Sequence, residues 1–184
     1  EPSAYGHARL LDHARGDWAM TIARRYLYET SDAIRLEALV DGSWEPLAGL
    51  VGKIRREERY HAMHIGAWLE RLATAPGEPR DRLVGAFGLL GPDAGTVFSP
   101  LPGEAAIVDG GILADSMPVL EARWRAAIAP TLARLELPQP PATRDPEAGS
   151  RQPRPTGATG SGPAPGPALP AARPRDARGS RAPR

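Results

Sequence analysis

Two long apolar stripes, separated by a short polar turn, constrain the fold of this 184-residue chain more than any other feature. In residues 17–40 and 45–73, apolar side chains recur about every 3.6 positions, which is the period of an α-helix buried along one face. The residues Asp41, Gly42 and Ser43 between them are typical of a turn. The pattern therefore predicts an antiparallel pair of long helices. The first stripe comprises Trp18, Ile22, Tyr26, Ala33, Leu36 and Val40, and the second comprises Leu47, Val51, Ile54, Ile65, Leu69 and Leu72.

A carboxylate interrupts each stripe. Glu29 lies on the first and Glu58 on the second, and the turn lies midway between them, so the two are expected at about the same height in the hairpin. His61 follows Glu58 by one helical turn on the same face. Burying an ionised carboxylate is costly unless a cation, a hydrogen bond or a metal compensates it. Two carboxylates at one level therefore indicate a shared partner.

One such partner is a metal. Ferritin-like di-iron bundles use a Glu from each of two helices and a Glu-x-x-His pair from each of the other two. Glu29, Glu58 and His61 are thus candidate ligands for half of such a site, but the sequence holds no second Glu-x-x-His pair, and Asp32 lacks an imidazole. The competing interpretation is that these glutamates pair with nearby arginines, for which the candidates are Arg25, Arg35 and Arg56. The pattern leaves both interpretations open.

The rest of the ordered region is predicted to contain shorter helices. Residues 81–98 are predicted to form a weaker helix, because Gly85, Gly88, Gly91 and Pro92 lower its helix propensity and the proline should kink or end it. Residues 99–111 are predicted to be a loop, and 115–136 a final helix ended by Pro138. Strand-like alternation is absent, so the fold class is all-α. One face of the final helix carries Leu120, Trp124, Ile128, Leu132 and Leu135.

Composition changes sharply at Pro138. From Pro138 onward the chain holds 12 of the 21 prolines, no aromatic residue, and eight arginines against three acids. Such a segment cannot bury a core, so we predict a helical region at 1–137 and a Pro/Arg/Gly-rich disordered tail at 138–184. The tail carries a net charge of +5 and the whole chain +1, so residues 1–137 carry −4. This charge gives no indication of a nucleic-acid-binding domain. A basic tail that binds polyanions is a minor alternative.

Several classes of protein are disfavoured by what the chain lacks. The absence of cysteine excludes disulfides, thiolate metal sites and a cysteine nucleophile within this sequence. No apolar run reaches the length of about 18 residues that spans a bilayer. We therefore expect no membrane partner and a cytoplasmic location.

Three separated segments carry a family resemblance. They are DWAMTIARRYLYETSDAIRLEAL (17–39), KIRREERYHAMHIGAWLERLA (53–73) and EARWRAAIAPTLARLELPQP (121–140). In order and spacing they resemble the C subunits of bacterial ring-1,2-phenylacetyl-CoA epoxidases, over roughly residues 9–137. The resemblance implies a ferritin-like helical bundle that is incomplete here, because the helical pair that precedes Asp17 in that family has no counterpart. It also implies a later ordered segment that the sequence after Pro140 does not match.

The resemblance further implies a function. In that family this kind of subunit is a structural partner of a catalytic oxygenase subunit, which holds the di-iron centre and acts on phenylacetyl-CoA, while a reductase subunit supplies electrons through NADPH, FAD and iron–sulfur groups. The chain itself would then hold no cofactor and no catalytic residue. The alternative is a self-sufficient di-iron carboxylate oxidase or oxygenase of the ferritin-like superfamily.

The same resemblance bears on the candidate ligands. The positions that recur in the family correspond to Lys53, Glu57, Tyr60 and His61, whereas position 58 is not reliably acidic. The Glu57-x-x-Tyr60 spacing places a tyrosine where a ligand histidine would be. We therefore expect a bundle that kept its shape and lost its iron, with a buried Lys53 or an arginine supplying the positive charge.

Overall fold

The computed structural model describes residues 8–100 and 102–142, all within one compact unit. In this part of the chain the regular structure is entirely helical, which confirms the all-α fold class and the predicted long helical pair. None of its helices is long and apolar enough to cross a membrane. The main elements are α1 (Trp18–Val40), α2 (Glu45–Thr74), α3 (Glu78–Ala94), α4 (Glu104–Asp109) and α5 (Met117–Arg134), with 3-10 turns at Arg9–Leu11 and Gly95–Phe98.

The start of α1 is fixed by a side-chain cap. The Asp17 carboxylate accepts a hydrogen bond from the backbone N–H of Met20 at 2.9 Å, which satisfies one of the free donors at the helix N-terminus. The same carboxylate accepts from Arg82 of α3 at 2.9 Å. The cap therefore also ties the first turn of α1 to the neighbouring helix.

The turn between α1 and α2 is fastened to the loop before α5. Ser43 donates through its backbone N–H to the Gly111 carbonyl at 2.9 Å and through its hydroxyl to the Gly110 carbonyl at 2.6 Å. The N–H of Ala114 donates to the Ala38 carbonyl at 2.9 Å. These bonds hold one end of the hairpin against the body of the molecule.

The core lies where α1, α3 and α5 meet. Trp124 of α5 is fully buried and packs at 5.6 Å between ring centres on Phe98, while Tyr26 of α1 packs at 6.1 Å on Phe87 of α3. The predicted apolar face of the last helix is confirmed, since all of its members are buried: Leu120, Trp124, Ile128, Leu132 and Leu135.

Two predicted boundaries were wrong. The third helix begins at Glu78 and passes through Pro92 to Ala94, because this proline lies in the last turn and the residue four positions earlier, Gly88, is exposed and can leave its carbonyl to solvent. The predicted loop contains α4 (Glu104–Asp109), which has no buried residue and therefore no apolar period to reveal it.

Residues 138–142 lie along α5. The carbonyl of Pro140 accepts from Arg125 at 3.0 Å, the Gln139 side chain donates to the Ala129 carbonyl at 3.1 Å, and Pro140 is buried. The rest of the predicted tail, residues 143–184, lies outside the described residues, so its disorder stays a prediction.

Candidate functional site

An open groove of about 540 Å³ runs between α1 and α2. Glu29 and Glu58 line it together, as the sequence spacing predicts, and both also line an adjacent depression of about 510 Å³ that includes His61. The apolar part of the groove wall consists of Ala33, Ile34, Leu36, Val40 and Ala62. The three candidate ligands are therefore brought to one region of the hairpin.

The side chain of Glu29 is only 10% exposed, and it pairs with an arginine of its own helix. Its Oε1 accepts a hydrogen bond from Nε of Arg25 at 2.7 Å, and Nη2 of the same guanidinium contacts this oxygen as well. The interpretation of Glu29 as an arginine partner is thus confirmed for Arg25. Its other oxygen, Oε2, is buried and has no hydrogen-bond partner among the described residues. The ion pair thus leaves one acceptor of this carboxylate unsatisfied.

Glu58 and His61 form a more exposed pair. Nδ1 of His61 lies 3.3 Å from Oε2 of Glu58, and the two side chains are 56% and 37% exposed, the histidine being the more exposed of the two. An ion pair this exposed contributes little to stability. The imidazole of His61 contacts Glu58, and within the described residues it forms no hydrogen bond with the buried oxygen of Glu29.

Of the two cations expected beside the carboxylates, Lys53 or an arginine, the structure has the arginine, and the expected burial of Lys53 was wrong. Lys53 is exposed, and Tyr60 is 71% exposed on the same side of α2. The interior position was expected from the family resemblance, in which the positions of Lys53 and Tyr60 recur. In the part of the chain that the structure describes, no element covers that side of α2. The positive charge beside Glu29 comes instead from Arg25.

Asp32, on the same helix as Glu29, is a carboxyl whose charged form is disfavoured. Burial raises the pKa of Asp32 above its ordinary value, with Glu58 adding to the rise and Arg35, 3.4 Å away, opposing it. Burial likewise raises the pKa of Tyr28, and the Asp32 charge adds to the effect. Burial is therefore the main reason that the charged forms of Asp32 and Tyr28 are disfavoured at this site.

The rim of the groove on α2 is basic. Arg55 lies 4.0 Å from Glu37, whereas Arg56 and Arg59 form no ion pair with any described residue. Both of these guanidinium groups remain available to an acidic or carbonyl acceptor from outside the hairpin. Sequence reasoning named Arg56 as a candidate partner of the glutamates, but it could not say which arginines are paired, because that depends on side-chain placement.

The donor set does not fit a di-iron group. Among residues 8–100 and 102–142, no three His, Asp or Glu side chains are arranged to hold a metal ion. Glu29 already has a guanidinium on one oxygen, and His61 faces solvent beside Glu58. The arrangement leaves one buried carboxylate oxygen of Glu29 without a donor, and Arg56 and Arg59 line the groove without an ion pair to any described residue.

Comparison with known proteins decides the family. A family model described as phenylacetic acid catabolic protein matches residues 1–153. The chain belongs to this family. It is also 27% identical over 142 residues to the C subunit of the 1,2-phenylacetyl-CoA epoxidase of Escherichia coli strain K12, an alignment that covers 76% of this chain and 57% of that relative. The chain thus spans just over half the length of this curated relative.

Membership of the phenylacetic acid catabolic protein family confirms the resemblance carried by the segments at 17–39, 53–73 and 121–140. The first two segments lie at α1 and α2, which form the hairpin, and the third covers most of α5 and the six residues that follow it. The family pattern therefore coincides with the elements that build the groove and hold it in place.

Proposed function

We propose that this chain is a non-catalytic structural subunit of a multicomponent di-iron monooxygenase that epoxidises phenylacetyl-CoA in aerobic phenylacetate catabolism. In this proposal it pairs with a catalytic oxygenase subunit. That partner holds the di-iron centre, and a separate reductase holds the NADPH, FAD and iron–sulfur groups. The support is membership of the phenylacetic acid catabolic protein family, together with the similarity to the epoxidase component from Escherichia coli.

The pairing of Arg25 with Glu29 is the observation that carries the non-catalytic part of the proposal. In a ferritin-like bundle, a buried glutamate on an inner helix face is where a metal ligand would sit. Here a guanidinium donates to that carboxylate at 2.7 Å, so a protein cation supplies the charge that a metal would otherwise supply. This pairing suits a bundle that retains its shape for assembly while the chemistry is done elsewhere.

The architecture supports a ferritin-like origin. The two long antiparallel helices bring Glu29 and Glu58 to one groove, which is how helices of that class present their carboxylates. A structural subunit needs this frame to be rigid, and the bonds from Ser43 to the loop before α5 fasten one end of the hairpin.

Co-elution with the catalytic subunit tests the proposal. The full chain and the catalytic oxygenase subunit from the same organism are mixed, separated by size-exclusion chromatography, and the iron in each peak is counted. We expect one shared peak in which the iron matches the amount of the catalytic subunit alone. The iron content should be the same when this chain carries Glu29→Gln or His61→Ala. Separate elution of the two proteins would overturn the proposal.

The self-sufficient di-iron oxygenase is the second candidate. The unsatisfied Oε2 of Glu29, in a depression shared with Glu58 and His61, is the observation that favours it. It requires iron to co-purify with this chain alone and to be lost in Glu58→Gln. Stoichiometric iron with that dependence would replace the structural-subunit proposal.

A further inference from the structure

An extended, proline-rich segment is seated against the helical body. Residues 138–142, here called the strap, follow α5 and form neither helix nor strand. The strap holds three prolines, of which Pro140 is buried. None of its backbone groups takes part in a backbone–backbone hydrogen bond within the described residues. The strap is therefore held through side chains and close packing, which is how proline-rich ligands are held by the grooves that bind them.

A guanidinium forms one side of the seat. Arg125 donates from Nη1 to the Pro140 carbonyl at 3.0 Å and from Nη2 to Oε1 of Glu121 at 2.6 Å. Its guanidinium carbon also lies 5.6 Å from the ring centre of Trp124. Glu121 and Trp124 thus hold the guanidinium while its remaining nitrogen donates to the carbonyl of the strap. A donor that is held in advance loses less conformational freedom on binding.

A glycine of α3 forms the other side of the seat. Gly91 is buried, and within the described residues a Cβ built on it would come within 4 Å of strap atoms alone, Cα of Pro140 at 3.7 Å and Cδ of Pro141 at 4.0 Å. The absence of a side chain at Gly91 therefore lets the two prolines lie close to α3. The amide of Gln139 donates to the Ala129 carbonyl at 3.1 Å, which fixes the register. We call Gly91, Arg125 and the Ala129 carbonyl the strap site.

The chain enters the strap through a strained residue. Glu136 has a φ of 53°, and no other non-glycine residue of the described chain has a positive φ. A residue with a Cβ is disfavoured in this conformation. When the chain's own strap occupies the site, the folded state therefore carries a conformational cost at Glu136. A separate segment bound at the same site would not need that turn.

We propose that the strap site binds an extended proline-rich segment of a partner protein, and that the strap is an internal ligand which such a segment replaces. The segment presents a carbonyl to Arg125 and prolines to Gly91. Polyproline segments suit this role because they are already extended and lose little entropy on binding. The tethered strap competes at a high effective concentration, so the wild-type chain should bind the segment weakly. This inference does not rest on the proposed function.

A labelled peptide tests the site in the full chain. The probe is a fluorescein-labelled peptide with the sequence of residues 137–142, Leu-Pro-Gln-Pro-Pro-Ala, and its binding is measured by fluorescence anisotropy. The double variant Pro140→Gly, Pro141→Gly weakens the strap and leaves the strap site intact. We expect this variant to bind the peptide about tenfold more tightly than wild type, because its internal competitor is weaker. A peptide whose three prolines are replaced by alanine should bind it about tenfold more weakly.

Matched glycine substitutions in the strap-weakened chain locate the binding. Gly91→Leu fills the space of the prolines and should abolish binding of the peptide. Gly88→Leu adds the same side chain three residues earlier, on the exposed side of α3 where its Cβ would meet no atom within 4 Å, and should leave binding unchanged. Arg125→Lys keeps the charge, loses the planar guanidinium, and should weaken binding about tenfold. Circular dichroism checks the fold of each variant. If Gly91→Leu unfolds the chain, Arg125→Lys carries the test.

Four results would overturn the inference. The first is a strap-weakened chain that binds no peptide at about 1 mM. The second is undiminished binding in folded Gly91→Leu or in Arg125→Lys. The third is an alanine peptide that binds as tightly as the proline peptide. The fourth is wild type binding as tightly as the strap-weakened chain, because the strap would then not be a competing ligand. All of these measurements use this chain and the peptide alone, so they are independent of the co-elution experiment.

Discussion

The indole N–H of Trp124 donates a hydrogen bond to the hydroxyl oxygen of Thr30 at 2.9 Å, which joins α5 to α1 through the centre of the core. The same hydroxyl donates to the Tyr26 carbonyl at 2.7 Å, so one small side chain accepts from one helix and donates within another. Trp124 is fully buried, and its N–H has no access to water as a replacement. The positions of the two helices are therefore coupled through a buried polar contact.

Replacing Thr30 tests that coupling. Thr30→Val keeps the volume but leaves the indole N–H of Trp124 without an acceptor, so we expect the free energy of unfolding to fall by about 1–3 kcal/mol. Thr30→Ser keeps the hydroxyl and should cost clearly less. Urea denaturation followed by tryptophan fluorescence measures both. An equal loss in the two variants would mean that the methyl group, and not the hydrogen bond, stabilises this contact.

The cap at Asp17 should make stability depend on pH. Hydrogen bonds from the Met20 N–H and from Arg82 lower the pKa of this carboxyl below 3.8. The folded state therefore favours the ionised form, so the stabilisation is complete above the unfolded pKa and is lost as the pH falls through the folded pKa. Asp17→Ala should lower the free energy of unfolding by about 1 kcal/mol at neutral pH. Asp17→Asn retains the cap and should lose less.

Thermal unfolding of these Asp17 variants between pH 7 and pH 2 provides the measurement. The difference between wild type and Asp17→Asn should shrink on acidification, because the charge that distinguishes them is titrated away. A constant difference over this range would show that the ionised carboxylate makes no special contribution.

Gly42 is expected to resist substitution for a steric reason. A Cβ at this position would overlap the carbonyl oxygen of Ile112, which belongs to the loop that receives the Ser43 bonds. Gly42→Ala should therefore lower the free energy of unfolding by about 1–3 kcal/mol. Gly85→Ala is the control: its Cβ would meet nothing within 4 Å inside α3, so it should raise stability by about 0.5–1 kcal/mol. Denaturant midpoints that move in the same direction would contradict this explanation.

Removing the guanidinium beside Glu29 should expose the cost of that buried carboxylate. Arg25→Gln leaves Oε1 without its charged donor, and we expect the free energy of unfolding to fall by about 1–3 kcal/mol. Adding Glu29→Gln should restore part of the loss, because a neutral amide no longer demands a cation. Chemical denaturation of the single and double variants forms a thermodynamic cycle, and strictly additive effects would mean that the two side chains do not interact.

The elements that the sequence predicts well are those with a long buried stripe. The final helix is predicted to within two residues at each end, because Leu120, Trp124 and Leu132 repeat with the helical period and are all buried. The short α4 is missed because a helix of six residues with no buried side chain leaves no period in the sequence. Apolar residues recur with the helical period only where one face of a helix is buried. A helix without a buried face therefore cannot be predicted from that period.

The candidate site is predicted in its positions but not in its pairings. The spacing places Glu29 and Glu58 at one level, and the structure brings both to one groove. The spacing cannot show which of the three candidate arginines pairs with Glu29, since the pairing with Arg25 depends on side-chain rotamers. Nor can it connect His13 to Asp93, whose atoms lie 2.9 Å apart although the residues are 80 positions apart in sequence. Contacts of this kind appear only when the chain is folded.

The uncovered stretch of α2 has a consequence for how the molecule opens. Between Val51 and Ile65 this helix buries no side chain, whereas α5 is anchored by buried residues along its whole length. A helix segment with few buried contacts unfolds locally at a smaller free-energy cost than the core does. Its backbone amides should exchange with deuterium well before those of α5. The uncovered stretch of α2 should therefore unfold locally at a lower free-energy cost than α5. A partner that binds this stretch would be detected first as slower amide exchange there.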